Sequence, residues 1–148
     1  MAYGEREALT GLISMLIVML LFVLRLGGLH AEGAFGGPDA LQVWARSVLV
    51  LIGVSIVVAI VVTVAVHVLQ AVLTGEKPEE RKDERDHLID RRALTWGWYL
   101  LSFGILGVIV DLALGASGFR AMNLVLALCF ASEAVKDTAR LILYRRGG

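Results

Sequence analysis

The chain has 148 residues, 57% of them hydrophobic, with 14 Lys and Arg against 14 Asp and Glu. That length suits one domain. The zero net charge offers nucleic acid no bulk attraction, and the single cysteine, Cys129, excludes an intrachain disulfide and a cysteine-built metal cluster.

The apolar residues are gathered into runs close to the length, about 20 residues, that spans a bilayer. The first run covers residues 8–25. Before it, Glu5 and Glu7 flank Arg6, without the basic start and small-residue cleavage site of a secretory signal, so a retained span is expected. The segment Gly27–Ala40 carries five glycines and Pro38 and is expected to break the helix. The second run covers residues 42–74, and its last 28 residues, from Ser47, carry no Asp, Glu, Lys or Arg. It is rich in Val and Ile, but its length favours a helix, because an open strand in lipid leaves backbone groups unsatisfied.

Residues 76–92, EKPEERKDERDHLIDRR, form the most polar stretch, with thirteen charged residues in seventeen. The third run covers residues 94–115. A short turn, Ala116–Arg120, leads to the fourth, residues 121–144. The expected fold is an all-α, four-span transmembrane helical bundle.

Four spans put both termini on the side of the charged stretch. Eleven of the 14 Lys and Arg lie there, and only Arg25, Arg46 and Arg120 lie opposite. The excess of positive charge therefore predicts a multi-pass protein of the inner (cytoplasmic) membrane with both termini cytoplasmic. Trp96, Trp98 and Tyr144 fall at the inner interface and Trp44 at the outer, as an aromatic belt would require. A short repeat, Arg6-Glu7-Ala8-Leu9-Thr10 and Arg91-Arg92-Ala93-Leu94-Thr95, raises the expectation of two copies of one helical hairpin.

Span 4 holds the most unusual polar pattern. Glu133, Lys136, Asp137, Arg140 and Tyr144 share one helical face. Glu133 is expected about 18 Å along the helix from Ala121, within the inner half of the bilayer. Ionisable groups at that depth are paired, hydrated or functional. One reading is an ion or proton path, or a face for a partner; the other is a self-neutralising ladder, Glu133–Lys136 and Asp137–Arg140.

If the central stretch is helical from Glu79, Asp83, Asp86, His87 and Asp90 share one face, and Arg81, Arg85, Leu88 and Arg92 another. Spacing alone does not mark the acidic face as a metal site. It complements the basic end of span 4, so Asp83, Asp86 or Asp90 is expected within salt-bridge distance of Lys136, Arg140, Arg145 or Arg146. At the outer ends of spans 1 and 3, an Arg25–Asp111 pair is expected. Gly97, Gly104 and Asp111 share a face of span 3, where small residues allow close packing. His67 is the only histidine inside a span, and haem held by two histidines would need a second. No nucleophile–base pair, phosphate-binding loop or zinc signature is present, so a non-enzymatic protein without a cofactor is expected.

The run Asp83-Glu84-Arg85-Asp86, followed by Ile89 and Ala93, resembles a family of small prokaryotic four-span integral membrane proteins of unknown function, which have a DERD-type motif before the third span. Glu133 with Lys136, and the ending Tyr144-Arg145-Arg146-Gly147, extend the resemblance over residues 82–148. It implies architecture and the joint recurrence of these polar residues, not an activity.

Three functions are therefore expected in order. The first is a regulatory or scaffolding module, expected to be a homo-oligomer, that engages a cytoplasmic or membrane protein partner through the Glu79–Arg92 helix, with Asp83, Glu84, Arg85, Asp86 and Asp90, and the Glu133–Arg146 face, with Lys136, Asp137, Arg140 and Arg145. The second is a small ion or proton transporter or channel using Glu133, Lys136 and Asp137. The third is haem or quinone electron transfer through His67.

Overall fold

A computed structural model describes residues 3–74 and 83–146. The described residues form four α-helices: α1 (Tyr3–Ala31), α2 (Ala40–Thr74), α3 (Glu84–Ala113) and α4 (Gly118–Arg145). All four are long and apolar enough to cross a membrane, and most of their large apolar side chains face outward. In water that surface would be a heavy liability; in a bilayer it is the solvated face. The chain is a multi-pass, all-α membrane protein.

The helices lie in the order α2, α1, α4, α3. The most extensive interface joins α3 to α4; α1 packs between α4 and α2, and α2 meets α4 only slightly. An axis relating the two hairpins would map the α1–α4 interface onto one between α3 and α2. No such interface of comparable extent exists among the described residues. What does repeat is local. Thr10 and Thr95 each donate a hydrogen bond to the carbonyl four residues back, on Arg6 and Arg91, and Ala8 and Ala93 are both fully buried. The two copies of the motif thus begin helices that clasp α4 from either side.

α1 runs through Gly27 and Gly28 to Ala31, beyond the expected break. Glycine costs a helix about 1 kcal/mol, less than the several kcal/mol of a backbone group left unsatisfied in lipid. The turn comes at Gly33, whose φ of 75° suits glycine; Gly115, with φ of 97°, does the same between α3 and α4. α2 has 35 residues, about 52 Å of helix against a hydrocarbon core of about 30 Å. Tilt or overhang must absorb the difference.

The described part of the charged segment does not form a separate helix. From Glu84 it is continuous with α3, and residues 76–82, including Glu79, Arg81 and Lys82, lie outside the described residues. The helix starts where it does because Asp83 and Asp86 form a capping box. The Asp83 side chain accepts from the Glu84 amide at 2.7 Å, and Asp86 accepts from the Asp83 amide at 3.2 Å. Half of the DERD motif is therefore a helix start signal.

At the end bearing the two interhelical turns, a cluster of Phe22, Trp44, Val48 and Leu51 joins α1 to α2, with Phe35, Phe119, Leu126 and Phe130 packed around it. Trp44 is buried, and its indole N–H donates to Asn123 Oδ1 at 3.0 Å. It is a core residue, not the interfacial residue expected, because Asn123 satisfies its one donor inside the bundle. This plug fixes the far half of α1 and α2; towards the charged end α2 parts from α4, while α1 stays against it.

Candidate functional site

α4 carries its charges on the side pressed by α1 and α3, and glycines and alanines make room for them. On α1, a Cβ at Gly4 would overlap the Tyr144 ring and hydroxyl, and one at Gly11 would stand 2.5 Å from Asp137 Oδ2. Ala8, between them, is fully buried. On α3, Asp86, Ile89, Ala93 and Gly97 form the buried stripe. A Cβ at Gly97 would stand 3.1 Å from the Ser132 carbonyl oxygen, and Ser132 Oγ donates to the Gly97 carbonyl at 3.0 Å. One at Gly104 would overlap Leu128. The expected close approach of α3 is thus made to α4, by Gly97 and Gly104.

Close packing brings three helices' charges together at Arg140. Its guanidinium reaches Asp90 at 2.6 Å, Glu7 at 3.1 Å and Asp137 at 3.6 Å. The side chains of Arg140 and Asp137 are only 10% and 7% exposed. An arginine's planar fork suits several carboxylates at once, and its three acids come from α1, α3 and α4. The expected acidic-to-basic link between the central stretch and span 4 is therefore present, as Asp90–Arg140. Asp86 is buried at the same level, and the Tyr144 hydroxyl is also buried, against Gly4. Tyr144 thus belongs to the helix interface and not to a lipid-facing belt.

Of the other expected site residues, Glu84 and Arg85 are exposed on the outer face of α3, with His87, Leu88, Arg91 and Arg92. Arg145 is exposed at the end of α4. Asp111 does not meet Arg25. It pairs with Arg120 at 3.0 Å across the tight α3–α4 turn, because a few residues of turn bring the two helix ends together, whereas Arg25 lies on α1. Arg25 instead lines a shallow outer recess between α1 and α2 together with Arg46.

The remaining members of the set, Glu133, Lys136 and Asp137, line a cleft of about 610 Å³ between α1, α2 and α4. α1 adds Arg6, Glu7, Thr10 and Ser14; α2 adds Ser55, Thr63 and His67. From Arg140 to Phe130 the cleft follows α4 for about 15 Å. It ends on Val18 and Phe130, against the aromatic plug.

Two electrostatic features define its wall. First, Lys136 forms an ion pair with Glu133, and its ammonium also stands 4.0 Å from Asp137. The expected ladder is therefore present, but Glu133 remains 57% exposed, whereas Asp137 is closed in by Arg140 and Gly11. Second, the neutral groups turn their hydrogens to their own helices. Thr10 Oγ donates to the Arg6 carbonyl at 2.9 Å and Ser55 Oγ to the Ile52 carbonyl at 2.7 Å. His67 Nδ1 lies 2.7 Å from the Thr63 carbonyl, and a carbonyl only accepts, so Nδ1 carries the hydrogen. The Thr10 and Ser55 hydroxyls keep lone pairs for something that donates.

Sequence spacing leaves His67, Thr10 and Glu7 outside the site; only their approach across three helices unites them. Among the described residues, no three His, Cys, Asp or Glu side chains are grouped to hold a metal ion. Compared with protein-family models, with curated proteins and with solved structures, the chain finds no match in any of the three.

Proposed function

We propose that this is a non-enzymatic membrane protein of the transporter or channel type, which admits a small cation from its charged, cytoplasmic end into the α1–α2–α4 cleft. The observation that carries the reading is the convergence of Glu133, Lys136 and Asp137 with His67 and Thr10 on one polar cleft, in a helix otherwise built for lipid. A concave site with a few convergent polar groups is the usual form of a binding site, and ionisable groups at membrane depth mark pathways. The plug of Phe22, Trp44, Val48 and Leu51 closes the far side, so passage requires the plug to part. Because α2 meets α4 only slightly, α2 is the wall that moves.

This order reverses the expectation from sequence, which put an interaction module first. Asp83 and Asp86 act in the capping box and Asp90 binds Arg140, so the acidic face is engaged within the chain. A specific observation keeps the second reading: Glu84, Arg85, Leu88 and Arg92 remain exposed and offer a face to a protein partner or to another copy.

The test is cation flux in proteoliposomes, with Na⁺ and K⁺ as probes. Glu133→Gln is expected to reduce flux at least tenfold, since it removes the exposed carboxylate, and Arg85→Ala to leave it unchanged. Flux that ignores Glu133→Gln would remove the reading and leave the interaction module in its place.

A further inference from the structure

The cleft already holds a cation of its own. Lys136 places a primary ammonium on Glu133, with Asp137 at 4.0 Å, and this group tells what the site is shaped to receive. An ammonium needs one carboxylate and a few oxygen or nitrogen acceptors, at no fixed geometry. A divalent metal ion needs a closer shell of ligands, and no group of three His, Cys, Asp or Glu side chains is placed to supply it among the described residues. The acceptors that an ammonium would use are Thr10 Oγ and Ser55 Oγ, each with its hydrogen committed to its own helix; His67 lies about 18 Å further along α2 than Ser55, nearer the charged end.

The rest of the cleft leaves room for an organic body beside the charge. At about 610 Å³ it falls within the roughly 300–1,000 Å³ of pockets for small organic molecules. Towards the plug its wall is Met15, Val18 and Phe130, with Ser14 beside them. An apolar body suits that bay. Glu133 is the acid that a ligand can reach: it is 57% exposed, and Lys136 is its ion-pair partner. Asp137 is engaged by Arg140 at 3.6 Å and crowded by Gly11.

We propose that the cleft binds a protonated amine with a small apolar body, which takes the place of the Lys136 ammonium on Glu133. The proposal rests on the cation reading above and specifies its ligand class. Lys136 then acts as a tethered competitor. A group held on a short tether competes at an effective concentration on the order of millimolar or more, so the Glu133–Lys136 pair stays neutral in the unliganded site. A bound amine releases Lys136 towards the charged end.

The experiment uses the full chain in mild detergent and isothermal titration with n-butylammonium chloride, with n-butanol as the uncharged probe of similar body. The wild type is expected to bind butylammonium weakly and butanol not at all. Lys136→Gln is expected to tighten butylammonium about tenfold by removing the tethered competitor, and Lys136→Met to do likewise. Glu133→Gln is expected to abolish binding in either background while its melting temperature stays near that of the wild type. In ¹⁵N-lysine-labelled wild-type protein, butylammonium but not butanol should shift the Lys136 Nζ resonance. Equal binding of butanol, unchanged or weaker binding by both Lys136 variants, or a Lys136 resonance that stays fixed at saturation would each overturn the proposal. If Glu133 still governs Na⁺ or K⁺ flux in that case, the cation reading stands and the amine inference alone fails; if flux is also insensitive, both fail.

Discussion

Arg140→Met is expected to destabilise the protein by about 3–5 kcal/mol, the cost of removing one partner from a buried ion network. The guanidinium is the common partner of Glu7, Asp90 and Asp137. Without it, Asp137, 7% exposed, keeps only Lys136 at 4.0 Å, and two further carboxylates face each other across the α1–α4–α3 junction. The measurement is the midpoint of detergent-denaturant unfolding, followed by circular dichroism. Asp90→Asn should cost less, because Arg140 retains Glu7 and Asp137. Neutralising the two more buried acids together with the arginine, in Arg140→Met with Asp90→Asn and Asp137→Asn, should recover part of the loss, since neither is then a buried charge without its partner, while Glu7, 41% exposed, keeps its solvent. A wild-type midpoint for Arg140→Met would mean that these pairs are solvated and contribute nothing.

The second large effect is at Gly97. Its added Cβ would stand 3.1 Å from a backbone oxygen, that of Ser132, and backbone gives way less readily than a side-chain tip. Gly97→Val adds two further carbons at that point and displaces the Ser132 Oγ bond to the Gly97 carbonyl. Overpacking of this kind costs about 1–3 kcal/mol or more, and an interhelical hydrogen bond in a membrane contributes about 0.6 kcal/mol on average. Gly107 is the internal control. It lies on the same helix, and a Cβ added there would meet nothing within 4 Å, so Gly107→Val should be neutral or slightly stabilising through helix propensity. Equal unfolding midpoints for the two variants would show that α3 and α4 do not approach closely at Gly97.

The architecture was legible because it follows from long apolar runs, and four runs leave little choice of fold once the backbone must satisfy itself in lipid. The polar stripe of α4 and its link to the acidic stretch were legible from helical spacing; Asp90–Arg140 realises it. Other features were not legible, for definite reasons. Gly27 and Gly28 read as breakers, but the bilayer outweighs their propensity. Asp83 and Asp86 read as a charged stripe, although an acid three residues after an N-cap is also the signature of a capping box. Trp44 read as an interfacial residue because its partner, Asn123, is 79 positions away. The Arg25–Asp111 pair assumed that equal depth implies proximity, and the tight α3–α4 turn supplied Arg120 instead. The cleft itself could not be read, since it exists only where α2 parts from α4 and lines one cleft with residues of three helices.

The central claim is that water and solutes enter the α1–α2–α4 cleft from the charged end and stop at the aromatic plug. Cysteine accessibility in membranes tests it most directly. In a Cys129→Ala background, Ser14→Cys, Thr63→Cys and Ala59→Cys lie in the cleft wall, and Val48→Cys lies in the plug. A membrane-impermeant maleimide applied from the side of the termini should label the first three and leave Val48→Cys unlabelled. Labelling that stops above Ser14 and Thr63, or that reaches Val48→Cys as readily as Thr63→Cys, would contradict the account.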